Sequence, residues 1–304
     1  MKDSNFDHLW LPWMLQARQD LERYADQLNA MNVFPVADSD TGSNMLATIS
    51  AACQSQPRAG VQAAYRQAQG NSGMILSAWL GALTTSLGPS AQLTPEALHL
   101  ALWQAAAQAR QSLEKPVEGT ILAAMDAVAQ APLLPELDQH LLHLAYRAAQ
   151  AVAASEQLLA AAQAAATKDA GAAGFFLVMN ALSLSYSGLG VSDQDYADLF
   201  KAADPSEQLK TESDKGFELM CQLELEAALM AQLRADLAGY DSLSVVCLGE
   251  LEQGQAPTEW GIHLHTIKVE QALARIQAYG SPKNLRITPL FSGQEQLGSG
   301  CESG

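Results

Sequence analysis

The hydrophobic positions in roughly the first two-thirds of the chain recur at helical spacing. Over Asp7–Leu28 the apolar residues fall on one face of a helix, with a period of about 3.6 residues. The same pattern predicts further helices at Thr41–Gln54, Ser72–Ser86, Thr94–Leu113, Gly119–Ala131, Leu137–Ala154 and Ala172–Ser185. Many of these stretches are rich in alanine, which favours helix, and prolines separate several of them. The pattern therefore predicts an all-α first domain.

The pattern changes after a polar stretch around Pro205. From Phe217 to Leu225 apolar residues alternate with other residues, which is typical of a strand. The stretches that follow predict helix, strand, strand, helix and strand in turn: Glu226–Leu237, Ser242–Leu248, Trp260–Thr266, Val269–Tyr279 and Leu285–Leu290. Such an order predicts a small α+β domain of the split βαβ kind. We therefore expect a helical domain at 1–203, an α+β domain at 204–291 and a flexible tail at 292–304.

Composition and charge narrow the classes of function. The 304 residues carry a formal net charge of −16 and no long basic run, so a nucleic-acid partner is not expected. The N-terminus lacks the apolar run of a signal peptide, and the most apolar stretch, Ala170–Leu184, is too short to span a bilayer. The four cysteines are scattered and do not suggest a disulfide framework. These features predict a cytoplasmic protein without a transmembrane segment.

The segment Asn32–Met45 combines potential cation ligands with potential phosphate donors. Asp38 and Asp40 lie just before a predicted helix, and Mg²⁺ prefers one or two carboxylates together with phosphate and water. The first N–H groups of a helix bind phosphate well. The residues that open this helix are Thr41, Gly42, Ser43 and Asn44. An ordinary acidic helix cap explains the same residues, and the local chemistry alone favours that simpler interpretation.

Three further segments open predicted helices with small and polar residues. They are Gly70–Gly73, Lys115–Thr120 and Asp169–Gly171. Each segment taken singly is more often a helix cap, but four of them in one helical domain suggest helix ends gathered around a polyphosphate. The sequence contains no Walker loop, since a Gly-x-x-x-x-Gly-Lys-Ser/Thr run is missing.

These segments resemble, in the same order, the motifs of the bacterial fatty acid kinase catalytic-subunit family. Asn32–Met45 resembles that family's Asn-Val-Phe-Pro-Val-Pro-Asp-Gly-Asp-Thr-Gly-Thr-Asn-Met stretch, and Lys115–Leu122 matches the third motif almost letter for letter. The family is related to the nucleotide-binding subunit of dihydroxyacetone kinases. The resemblance implies a DhaL-like antiparallel helical barrel that holds ATP at one end. It also leads us to expect a homodimer.

The resemblance implies particular functions for individual residues. Asp38 and Asp40 would be magnesium ligands together with Asn32, and Thr41 would join the two aspartates in catalysis. Phosphate contacts would come from Thr41, Gly42, Ser43, Asn44, Ser72 and Gly73. The nucleotide pocket would be lined by Thr120, Asp169, Ala170 and Gly171. The reaction would transfer the γ-phosphate of ATP to a fatty acid carboxylate, presented by a carrier protein, to give an acyl phosphate and ADP.

Several positions depart from the family pattern. Ala37 replaces a proline, Ser39 a glycine and Ala172 a glycine, while Gln69 replaces an arginine. Loss of one arginine at a phosphoryl-transfer site can lower the rate by orders of magnitude. One alternative is therefore a catalytically impaired nucleotide- or metal-binding regulatory module. A second alternative is a dihydroxyacetone-type kinase subunit for a small substrate.

The predicted α+β domain carries a separate candidate for metal binding. His263 and His265 are two residues apart on a predicted strand and therefore face the same side. Cys221 lies on an earlier strand, and one cysteine with two histidines is a partial ligand set for Zn²⁺. Taken alone, these are more often ordinary half-buried strand residues. The His-x-His-Thr run of the family's middle domain resembles His263–Thr266, which favours a zinc site that supports the structure or a dimer.

Overall fold

The computed structural model describes residues 4–34, 39–201, 216–248 and 258–290. Its first part consists of helices separated by short connections. They are α1 (Phe6–Met31), α2 (Thr41–Ala52), α3 (Pro57–Gln67), α4 (Gly70–Leu87), α5 (Pro95–Ser112), α6 (Ile121–Ala129), α7 (Leu137–Leu158), α8 (Ala160–Ala164), α9 (Ala170–Ser187) and α10 (Asp193–Tyr196), followed by a 3-10 turn at Ala197–Phe200. Each helix expected from the apolar spacing is present. The short helices α3, α8 and α10 were not among those predicted.

The longer helices of this part close into a ring. Each packs on the next in the order α1, α2, α4, α5, α6, α7 and α9, and α9 packs back on α1. Large aromatic side chains fill the ring, and Trp79 makes edge contacts with both Trp13 and Phe175. This closed ring agrees with the helical barrel that the resemblance implied.

Helix α9 is the most apolar element of the ring. Among the described residues it is the one helix long and apolar enough to cross a membrane by length and composition, yet 72% of it is buried inside the protein. Its burial on all sides by neighbouring helices is that of a core helix.

The second part is a four-stranded antiparallel sheet with two helices. The elements are β1 (Gly216–Leu225), α11 (Ala227–Leu237), β2 (Asp241–Cys247), β3 (Thr258–Thr266), α12 (Val269–Gln277) and β4 (Lys283–Leu290). The strand order in the sheet is β2-β3-β1-β4, so β2 and β4 form its edges. The predicted succession of strands and helices is thus confirmed. The predicted turn at Gln253–Pro257, the predicted tail at 292–304 and the predicted boundary at 203/204 lie outside the described residues.

The two faces of the sheet have different neighbours. One face packs with α11 and α12 around a core that includes Leu219, Cys221 and Ile262. On the other face, Met220 and Val246 pack against Met74 and Ala78 of α4. The second face therefore lies against the helical ring.

Candidate functional site

A cavity of about 310 Å³ lies between the helical ring and the sheet. Helices α2, α4, α6 and α9 all begin at its wall. The residues of the ring that line it are Asn32, Phe34, Asp40, Thr41, Gly70, Asn71, Ser72, Ile75, Leu113, Glu114, Lys115, Val117, Thr120, Ile121, Asp169 and Gly171. The first N–H groups of a helix have no partner within the helix and carry partial positive charge. Four such starts at one cavity favour an anionic ligand there. Some of these donors are already used within the protein, since the Gly70 N–H bonds Glu218 and the Ile121 and Gly171 N–H groups bond Asp169.

The start of α2 places Asp40 and Thr41 at the cavity. The side chain of Asp40 makes no capping hydrogen bond to α2, so its carboxylate is not acting as a helix cap. Asn32, at the end of α1, is 4% exposed and lines the same cavity. Asp38, the other predicted magnesium ligand, lies outside the described residues.

The next residues of α2 do not line the cavity. A Cβ on Gly42 would come within 2.3 Å of the Ala25 carbonyl oxygen, so glycine is needed here for the packing of α2 on α1. Ser43 is held by Asn29, whose side-chain oxygen accepts the Ser43 N–H at 3.1 Å. Both residues therefore support the fold of the site, and the phosphate contacts that the resemblance implied for them stay predictions.

The start of α4 provides another stretch of cavity wall, from Gly70 to Ser72. Gly70 has a φ of +58°, and a Cβ there would come within 2.5 Å of the side-chain nitrogen of Asn44. Asn44 and Gly73 lie behind this wall. A Cβ on Gly73 would come within 2.8 Å of Thr48 Oγ1, so this glycine allows close packing of α4 on α2.

The starts of α6 and α9 complete the helical side of the cavity. Thr120 lies immediately before α6, and its hydroxyl donates to the Val117 carbonyl at 2.8 Å. Asp169 caps α9 by accepting the Ala172 N–H at 2.7 Å. Burial raises the pKa of Asp169 to about 7, although backbone N–H donors, including that of Gly171, act in the opposite direction. Ala170 does not line the cavity.

The sheet supplies the opposite wall, and sequence reasoning did not anticipate most of it. The lining residues from the sheet domain are Glu218, Tyr240, Asp241, Ser242, Leu243 and His265. Glu218 Oε1 lies 3.0 Å from His263 Nε2 and accepts a hydrogen bond from the Gly70 backbone N–H. Burial raises the pKa of Glu218, but these hydrogen bonds and the two histidine rings outweigh it, so the pKa lies below its usual value. Glu218 thus links the sheet to the start of α4.

Glu218, His263 and His265 form a possible metal site. Their ligand atoms all lie within 4.8 Å of one another. His265 Nδ1 is buried and has no hydrogen-bond partner among the described residues. Burial is the main reason that the pKa of His265 falls to about 3, so this ring is neutral at physiological pH and able to bind a metal. His263 Nδ1 lies 3.0 Å from the Ser242 carbonyl oxygen, an arrangement that orients a metal-binding ring.

Cys221 does not join the two histidines as expected. It pairs with Ile262 in the β1–β3 ladder and packs in the core beneath α11 and α12, on the opposite face of the sheet. Burial raises the pKa of its thiol to about 12, whereas the form that binds metal is the thiolate. The expectation for Cys221 is therefore wrong, and Glu218 occupies the third position.

The charges around the cavity are mostly negative. Its carboxylates are those of Asp40, Glu114, Asp169, Glu218 and Asp241, and Lys115 is the one lysine or arginine among the described lining residues. A bare polyphosphate would meet repulsion here. A polyphosphate that carries a divalent cation fits better, because carboxylates bind the cation and helix starts bind the phosphate.

The family comparison agrees with this class of site. Residues 35–184 match the DAK2 domain, and this range includes all four helix starts at the cavity. The helical part of the chain is therefore similar to the DAK2 domain.

Similar proteins occur in Bacillus and Staphylococcus species. The chain is 26% identical to Protein YloV of Bacillus subtilis over 305 residues, which cover 90% of this chain and 53% of YloV. It is 29% identical to an uncharacterized protein of Staphylococcus epidermidis over 189 residues, 56% of this chain and 34% of that protein. An uncharacterized protein of Staphylococcus aureus is 28% identical over 136 residues, 41% of this chain and 25% of that protein. The chain thus spans about half the length of YloV and about a third or less of the staphylococcal proteins.

Proposed function

We propose that the protein binds Mg-ATP in this cavity and transfers the γ-phosphoryl group to a fatty acid carboxylate presented by a carrier protein. The observation that carries this proposal is that four helix starts meet at one cavity inside the region that matches the DAK2 domain. The carboxylate of Asp40 lies at the same cavity and makes no capping hydrogen bond. The family-like motifs around Asn32–Met45 and Lys115–Leu122 support the choice of acceptor.

The residues of the cavity would divide the work between cation and phosphate. Asp40, with Asp38 and Asn32 nearby in sequence, would hold Mg²⁺, which supplies neutralisation of the phosphate charge. The backbone N–H groups at the starts of α2 and α4 would position the phosphate oxygens. A fatty acid carboxylate is already ionised at neutral pH, so the transfer requires no separate general base.

A nucleotide- or metal-binding regulatory module is the main alternative. Gln69, where the family has an arginine, is exposed before α4 and does not line the cavity. Without a fixed positive charge at this position, the protein would still bind the nucleotide, but phosphoryl transfer would be slow. A dihydroxyacetone-type kinase subunit for a small substrate is the third candidate.

Two measurements separate these candidates. Calorimetric titration with Mg-ATP tests binding, which all three require. An assay for ADP and acyl phosphate, with fatty acid-loaded carrier proteins, tests the leading proposal. The variant Gln69→Arg should increase ADP release if a missing charge limits turnover. No nucleotide binding would reject all three candidates, whereas binding without turnover in either protein would reject the leading proposal and leave the other two.

We also propose that Glu218, His263 and His265 bind a divalent metal ion, with Zn²⁺ as the first candidate. Two imidazoles and a carboxylate are a known type of ligand set for zinc, which takes water as a fourth ligand. The unpartnered Nδ1 of His265 supports this proposal. Metal analysis of the purified protein after zinc supplementation tests it, and clearly substoichiometric zinc would reject it. The expected homodimer and carrier partner are likewise proposals, testable by light scattering of the protein with and without carrier.

A further inference from the structure

Arg234 of α11 makes an unusually complete set of contacts with the helical ring. Its Nε donates to Glu114 Oε2 at 3.1 Å. Its Nη1 and Nη2 donate to the carbonyl oxygens of Gln111 and Leu113, each at 2.7 Å. These carbonyls lie at the end of α5, where the helix leaves acceptors unpaired and favours a positive charge. One guanidinium therefore fixes the end of α5 from the other domain.

The sheet holds the same segment through the main chain. Leu113 forms an antiparallel bridge with Ser244, and the Glu114 N–H donates to the Leu243 carbonyl at 3.1 Å. Strand β2 is an edge of the sheet, so this segment of the ring covers part of its open side. Side-chain and main-chain contacts thus join β2 and α11 to residues 111–114.

This segment continues directly into the cavity wall. Leu113, Glu114 and Lys115 all line the cavity, as does Thr120 at the far end of the loop. The far end is held within the ring, because Arg110 of α5 donates to Glu118 Oε1 at 2.9 Å. Among the contacts described, those with the sheet domain are made at the near end of the loop, at residues 111–114.

We propose that Arg234 is a positioning residue for the nucleotide site, through which the sheet domain holds the wall formed by residues 113–120 against the bound nucleotide. This inference rests on the function proposed above. It gives the α+β domain a part in nucleotide binding besides its own residues at the cavity. Without the guanidinium, the loop would have to be ordered by the nucleotide, and binding would weaken accordingly.

Arg234 differs from an ordinary surface ion pair. Exposed pairs contribute little because solvent screens them and two side chains must be ordered. Here the side chains of Arg234 and Glu114 are 30% and 31% exposed, and two of the three bonds end on backbone oxygens. The planar guanidinium of Arg234 donates to three acceptors at once. The compact ammonium of a lysine could not reproduce this geometry.

The test uses the full chain and Mg-ADP as the probe. Calorimetry compares the wild type with Arg234→Gln, Arg234→Lys and the matched control Arg147→Gln. Arg147 also donates to a carbonyl in the last turn of a helix, Ala127 of α6, but does not line the cavity. We expect Kd to rise about tenfold for Arg234→Gln and by less for Arg234→Lys, and to stay unchanged for Arg147→Gln. Hydrogen exchange of amides 113–120 in the Mg-ADP complex should be faster in Arg234→Gln.

Each outcome decides a different question. If the wild type does not bind Mg-ADP, the proposed function fails and this inference fails with it. If the wild type binds and a folded Arg234→Gln binds equally well, the inference is wrong while the proposed function stands. Should Arg234→Gln not fold, an unchanged Kd for Arg234→Lys overturns the inference. Equal weakening by Arg147→Gln would also overturn it, since the effect would not be specific to the loop.

Discussion

The cavity wall has a helical half and a sheet half, and the two halves present different chemical groups. On the helical side, residues at the starts of α2, α4, α6 and α9 line the cavity, and glycines such as Gly42 and Gly73 permit the packing behind them. On the sheet side, the cavity is faced by side chains, among them the carboxylate of Glu218 and the ring of His265. The helical half is suited to hold phosphate. The sheet half is suited to hold a cation or to position the loop of the helical half.

This difference explains which residues each half tolerates. A helix start keeps its N–H groups whatever its side chains are, so substitutions there act through packing or through a lost carboxylate. A side-chain wall depends on each residue and on the register of its strand. The following predictions test the contrast, beginning with the largest expected effect.

Removing the Asp40 carboxylate should affect the helical half most strongly. We expect Asp40→Asn to weaken Mg-ATP binding by about 100-fold, because a magnesium ligand is lost, with little change in stability. Calorimetry and thermal unfolding measure the two quantities. Glu136→Gln is the matched control, since Glu136 also precedes a helix without capping it and lies outside the cavity. A loss of stability with unchanged binding would identify Asp40 as a structural residue.

Substitutions on the two faces of the sheet should differ in their effect on zinc binding. Glu218→Gln should lower zinc affinity by about 10- to 100-fold, while Cys221→Ala should leave the zinc content unchanged. The cysteine variant should instead cost about 1 kcal/mol of stability, since Cys221 is a buried core residue. Zinc analysis and urea unfolding provide the measurements. Zinc loss in Cys221→Ala alone would restore the ligand set expected from sequence.

Acid should destabilise the helical domain through His140. Burial lowers the pKa of His140 to about 4, aided by His99 and His143 and opposed by Glu96. The unfolded chain therefore takes up this proton first as pH falls. Stability is complete above the unfolded pKa of about 6.5 and falls progressively towards pH 4.

The loss from this group between pH 6.5 and pH 5 should be about 1.6 kcal/mol. Urea unfolding at both pH values, with tryptophan fluorescence as the probe, measures it, because Trp10, Trp13 and Trp79 lie in the core of the ring. Asp169, whose pKa is raised to about 7, acts in the opposite direction over this window, so the effect is read as a difference between variant and wild type. Relative to the wild type, His140→Gln should lose less stability on acidification. An equally steep dependence in that variant would assign the effect to other groups.

The smallest effect concerns Ser39, which replaces a family glycine. Ser39 has a φ of +57°, a conformation that costs a residue with a Cβ about 1–2 kcal/mol. Ser39→Gly should relieve this strain, but the added freedom of the unfolded chain offsets part of the gain. A net stabilisation of about 0.5 kcal/mol is expected from urea unfolding. Ala166→Gly, with a φ of +48° away from the cavity, should gain as much in stability and leave nucleotide affinity unchanged.

Most of the fold could be predicted from the sequence. Apolar spacing was sufficient for the long helices, because a single buried face produces a regular period. It was insufficient for α3, a helix of 11 residues over Pro57–Gln67 that includes Gly60 and few large apolar residues. The convergence of helix starts was expected from the repeated small and polar segments. The function of individual positions such as Gly42 was not, because packing and ligand contact both favour glycine.

The third member of the candidate metal site in the sheet, Glu218, shows where the reasoning from sequence failed. The preference of Zn²⁺ for cysteine and histidine ligands drew attention to Cys221. Yet the alternation in β1 already places Cys221 with Leu219 and Leu223, whereas Glu218 lies on the other face. In β3, Ile262 and Leu264 likewise alternate with the histidines. The period of two could therefore have excluded Cys221, but selecting Glu218 required the register between β1 and β3.

The bridge between Leu113 and Ser244 also has a consequence for how the chain is made. A ribosome releases the chain from its N-terminus, so the helices of the ring emerge well before β2. Until β2 has folded, residues 113 and 114 have no strand edge to join. Completion of this part of the cavity wall therefore waits for β2. Ser244 lies 131 residues after Leu113, so β2 is synthesised long after the segment that it contacts.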